Sequence, residues 1–148
     1  MGCGGVKFTK TASYVDMNRY LGKWYVISAR GIFVEDDAYN STETYTWNEK
    51  EKHIDVDFRM RKGSFDGAEK AYPQKAWIYN TDTNAHLKVQ FFWPLKFDYL
   101  ILDIDTDYQW VVDTSQGSVL CGQHPLMNRI IHLRDPVYWE CEIGIPLR

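Results

Sequence analysis

Apolar and polar residues alternate along much of this chain. The clearest run is Ile54, Val56, Phe58 and Met60 interleaved with Asp55, Asp57, Arg59 and Arg61. In an extended segment that spacing puts the apolar side chains on one face and the charges on the other, the pattern of a half-buried strand. From Thr42 to Trp47, Tyr45 and Trp47 share a face opposite Thr42, Thr44 and Thr46. Further strands are expected over residues 25–29, 75–79, 86–93 and 99–105, with another starting at Tyr108. Charged residues 48–52, the pairs Lys62-Gly63 and Asp66-Gly67, and residues 80–84 read as turns, and Pro94 stops a strand. Gly31 to Asn40, with Glu35, Asp36 and Asp37, reads as a long connection at an open mouth. Short strands in a meander predict an all-β sandwich or barrel. Closure into an eight-stranded up-and-down antiparallel barrel removes the edges and leaves room for one small ligand.

Composition narrows the function classes. A net charge of -3 argues against nucleic acid as a partner, which calls for a clustered basic face. Aromatic residues make up 16% of the chain, suiting both pleated strands and a cavity that grips ligands by apolar contact. No apolar run approaches the roughly 18 residues of a membrane helix, and no signal-peptide core is visible. The four histidines lack zinc-ligand spacing, so neither metal nor cofactor is expected. Asn40-Ser41-Thr42 matches the glycosylation pattern, which is common by chance.

The segment Val15-Asp16-Met17-Asn18-Arg19-Tyr20-Leu21-Gly22-Lys23-Trp24-Tyr25 carries the most specific information. Asp16 can cap one helical turn, Gly22 allows a sharp turn into a strand, and Trp24 brings a large ring suited to closing one end of a hollow core. This extended G-x-W-Y form resembles the first signature of the lipocalins, in the bacterial and apolipoprotein D-like branch. Thr106-Asp107-Tyr108 resembles the second signature, and the resemblance runs almost continuously from Val15 to Val112. Arg134, ending the apolar run Ile130-Ile131-His132-Leu133, resembles the third, an arginine stacked on the tryptophan; Arg129 is the weaker candidate. Its spacing from Trp110 is longer than the family pattern, and Asp113 to Asn128 does not resemble the family.

The resemblance implies an eight-stranded lipocalin barrel over residues 15–134, with tails at 1–14 and at 135–148, the latter altered or truncated. Residues 136–143 could form a short helix. It further implies a non-catalytic carrier of a fatty acid or lysophospholipid. The acyl chain would lie among Tyr45, Ile54, Val56, Phe58, Met60, Leu87, Val89 and Phe91, its head near the mouth. Gly22, Trp24, Thr106, Asp107, Tyr108 and Arg134 are implied to be structural. Cys3 fits the lipidated first residue of a bacterial lipoprotein, which implies the periplasmic side of the outer membrane; without lipidation the protein would be periplasmic or secreted.

Several readings stay open. The same alternation would serve a filled barrel acting through protein contacts, and a homodimer is compatible with it. Glu43 shares the inward parity of Tyr45, so its carboxylate either binds a polar head or sits at the wet mouth. Cys121 and Cys141 could pair in an oxidising compartment. Cys121 near His124 invites a thiol-enzyme reading, but no third orienting group is evident.

Overall fold

The computed structural model describes residues 10–30, 37–116 and 128–135. Eight antiparallel strands close into a barrel in sequence order. They are β1 (Gly22–Arg30), β2 (Ala38–Asn48), β3 (His53–Lys62), β4 (Glu69–Ile78), β5 (His86–Phe92), β6 (Leu95–Ile104), β7 (Trp110–Gln116) and β8 (Asn128–Leu133). The β1–β8 pairing, Tyr25 opposite Leu133 through Arg30 opposite Arg129, completes the circle. Every strand therefore has two neighbours, which resolves the barrel-or-sandwich choice in favour of the barrel.

A four-residue helix, α1 (Met17–Tyr20), precedes β1, and the Asp16 side chain caps it by accepting from the Asn18 N–H at 3.0 Å. Ala12 and Val15 donate their N–H groups to the carbonyls of Ile101 and Thr83, so the chain ahead of α1 lies along the barrel. Gly22 starts β1 at φ +105°, a conformation glycine adopts without a Cβ clash.

Strands β2 and β4 run longer than the alternation alone suggests, whereas β5 ends at Phe92 and β7 starts at Trp110 rather than Tyr108. Strand β2 starts at Ala38 rather than Thr42, through an irregularity between Tyr39 and Thr42 where Asn40 has φ 48°. Strand β4 starts at Glu69 rather than Lys75, and its first five residues are exposed, so no buried face marks them in sequence. Pro73, which cannot donate a ladder bond, sits where β4 pairs with β3, before the β4–β5 ladder starts at Lys75. Strand β7 extends through residues 113–116, past the stretch where sequence motifs point to the family, and pairs along its length with β8.

Cys3, Glu35, Asp36, Cys121, His124, Cys141 and the proposed helix at 136–143 lie outside the described residues.

Candidate functional site: a two-sided barrel interior

Residues directly opposite in an antiparallel ladder point to the same face, so the registers define the interior wall. Ile54 opposes Ala76, Ala76 opposes Val89, Ile78 opposes Leu87, and Leu87 opposes Tyr99. Strands β3 to β6 thus line one side with apolar groups. Six of the residues expected to hold an acyl chain, Tyr45, Ile54, Val56, Met60, Leu87 and Val89, are buried. The other two, Phe58 and Phe91, are half-buried, with Phe58 beside the Tyr72 ring at 6.1 Å and Phe91 beside Phe97 at 5.6 Å. Trp47, on the same parity as Tyr45, is 40% exposed near the end of β2.

The opposite side, from β7 through β8 and β1 to β2, adds ionisable groups among Trp24 and Val111. Glu43 opposes Trp24, His132 opposes Val26 and Val111, and Asp113 opposes Ile101, so all three ionisable side chains point inward. His132 Nε2 lies 2.9 Å from Glu43 Oε2, and its Nδ1 lies 3.0 Å from Asp113 Oδ2. The first contact is an aligned hydrogen bond; the second is close but misaligned, leaving both Asp113 oxygens without one. The Tyr45 hydroxyl donates to Glu43 Oε2 at 2.5 Å and lies 3.3 Å from the Tyr99 hydroxyl. Glu43 is therefore buried and paired, not at the wet mouth.

Burial lowers the His132 pKa, but Asp113 and Glu43 outweigh it and push it up to about 10, so the imidazole is charged at neutral pH. Burial raises Glu43; His132 and the two hydrogen bonds reverse this and hold it below the ordinary carboxylate value. Burial also raises Asp113, and there His132 only partly compensates, so the net direction is upward. The geometry supports this uneven split, because Glu43 accepts two aligned bonds and Asp113 accepts none. Burial, with the nearby carboxylates, lifts the Tyr20, Tyr45 and Tyr99 hydroxyls well above their ordinary value.

One end of the barrel is sealed. Trp24 is fully buried and donates from Nε1 to the Tyr20 carbonyl at 2.8 Å. Arg134 lies over the Trp24 ring, 3.8 Å from its centroid, and donates to the carbonyls of Arg19, Tyr20 and Lys23. Tyr108, at φ 58° in the turn after Thr106 and Asp107, accepts the Asp16 N–H at 2.7 Å and lies under the Arg19 guanidinium. A Cβ at Gly22 would stand 3.0 Å from Arg134 Nη1, so the glycine also makes room for the guanidinium. Arg134→Ala removes the stacking and three carbonyl bonds; it is expected to cost about 1–3 kcal/mol in urea denaturation. An unchanged midpoint would contradict the sealing role.

Sequence reasoning found Glu43 but missed its partners. Asp113 follows the parity of Val111, and His132 interrupts an apolar run, yet neither signal says that the two meet.

Comparison with known proteins agrees with this architecture. A family profile described as a lipocalin-like domain matches residues 15–119. Over 110 residues the chain is 30% identical to outer membrane lipoprotein Blc of Vibrio cholerae serotype O1, covering 72% of this chain and 61% of that relative's length. Among solved structures, the cockroach allergen Per a 4 superposes with TM-score 0.62 at 16% identity, over 88% of this chain and 76% of that one. Insecticyanin from the tobacco hornworm Manduca sexta gives 0.64 at 13% identity, over 89% and 70%. At those identities the structural likeness concerns the fold alone.

Proposed function

The chain belongs to the lipocalin family, whose members bind small hydrophobic ligands, and from that premise we propose that it is a non-catalytic carrier of a fatty acid or lysophospholipid. The observation that carries this reading is the continuous apolar wall from β3 to β6 inside a closed barrel. An acyl chain lying among Tyr45, Ile54, Val56, Phe58, Met60, Leu87, Val89 and Phe91 gains about 0.8 kcal/mol per buried CH₂. Its polar head stays at the end away from Trp24. The likeness to an outer membrane lipoprotein supports a place in the bacterial envelope, with Cys3 as the lipidated anchor on the periplasmic side.

Burial-driven binding depends strongly on chain length and weakly on salt. Phe58→Arg tests the wall, because Phe58 is half-buried and its replacement puts a charge against the acyl path. Titration with oleate and with a C18 lysophospholipid, followed by tryptophan fluorescence, is expected to give saturable micromolar binding. The variant is expected to weaken it at least tenfold. Absence of binding by well-folded wild type would favour a filled barrel that acts through protein contacts; equal binding by both proteins would put the ligand away from this wall and overturn the proposed path.

A further inference from the structure

The ionisable side of the interior contains more than a fatty acid or lysophospholipid uses. Asp113 is fully buried, faces the interior opposite Ile101, and meets His132 Nδ1 at 3.0 Å from Oδ2 without an aligned hydrogen bond to either oxygen. The Tyr20 hydroxyl is likewise buried without an aligned partner. Charge is also unbalanced: among the described residues, Glu43 and Asp113 face one cation, His132. Glu43 is satisfied by His132 and Tyr45, so the unmet demand for hydrogen-bond donors and positive charge falls on Asp113.

We propose that the sealed half of the barrel holds a protonated amine, seated against Asp113 and the Tyr20 hydroxyl. An ammonium group has three N–H donors and no acceptor, the complement of a carboxylate whose Oδ2 has only the misaligned His132 contact, whose Oδ1 has none, and of a phenol oxygen without an aligned donor. It also neutralises the surplus carboxylate, which a water molecule does not. The rings of Tyr20 and Tyr45, 5.1 Å apart, and of Tyr99 add aromatic surface that favours a cation. An anionic head is excluded by Glu43 and Asp113 together. The favoured ligand is therefore an amphiphile with an amine head, entering head first with its chain along the apolar wall. Fatty acids and lysophospholipids would lie the opposite way round. This inference rests on the hollow-barrel reading of the proposed function, but requires neither acyl ligand to bind.

Octylamine, octan-1-ol and octanoate share a chain length and differ in head charge. Calorimetric titration of the full chain at neutral pH is expected to rank octylamine at least tenfold tighter than octanol, with octanoate weakest. Asp113→Asn is expected to reduce octylamine to the level of octanol while leaving octanol within twofold. If that variant does not fold, the wild-type ranking decides alone. Octanol binding as tightly as octylamine, no saturable octylamine binding, or an amine preference that survives Asp113→Asn would overturn the proposal. Oleate and lysophospholipid titrated in parallel separate the two readings. Either one binding without an amine preference overturns this inference alone; amine binding with neither of them bound overturns the acyl-carrier reading alone.

Discussion

Replacing His132 with leucine is expected to cost about 3–5 kcal/mol of folding stability, because it strands two carboxylates in the barrel with no cation between them. His132 is 1% exposed and within 3.0 Å of both Glu43 and Asp113, so water cannot take over its role. Neutralising the carboxylates as well, in Glu43→Gln/His132→Leu/Asp113→Asn, is expected to recover part of the loss, since neutral amides are cheaper to bury than charges. The pH dependence has a definite sign. The folded pKa of His132, about 10, lies above its unfolded value near 6.5. Its contribution is therefore complete below about pH 6.5 and disappears as pH rises through 10. The raised tyrosines act in the same direction at higher pH. Urea midpoints of wild type and His132→Leu are expected to differ most near pH 6 and to converge toward pH 10. A difference that is constant or grows with pH would contradict an imidazolium at this position.

Trp24→Ala is expected to cost a similar amount, about 3–5 kcal/mol. The ring is fully buried between Tyr20, at 5.7 Å, and His132, at 6.5 Å, with the Arg134 guanidinium over its face. Its removal leaves a void next to a charged cluster and takes the aromatic partner from Arg134. Near-ultraviolet circular dichroism is expected to weaken while the far-ultraviolet β signal persists, because the strand ladders do not run through this side chain. A loss below about 1 kcal/mol would mean that Trp24 does not anchor the sealed end.

Much of the fold could be read from the chain because its strongest signals are local. The Ile54 to Met60 alternation fixes β3, Asp16 and Gly22 mark the entry to β1, and Thr106-Asp107-Tyr108 marks the last hairpin before β7. The first half of β4 was not legible, since Glu69, Lys70, Ala71, Tyr72 and Pro73 are all exposed and show no polar–apolar alternation. Arg134 was legible only through family resemblance; its place over Trp24 is set by β8 pairing with β1, across 110 residues of sequence. The charged cluster was the least legible feature. Its members come from β2, β7 and β8, Glu43 and His132 are 89 residues apart, and His132 looks like one polar interruption in an apolar strand. Alternation reports which face a side chain takes, but only ring closure brings those three strands together.

A carrier holds one amphiphile inside its barrel. Native mass spectrometry of freshly purified protein, with lipid extraction and a matched sample incubated with excess C18 lysophospholipid, is the test. The predicted spectrum contains the chain with one adduct of amphiphile mass, reduced at least tenfold in Phe58→Arg. A folded wild-type chain that stays bare in both samples would contradict a carrier role.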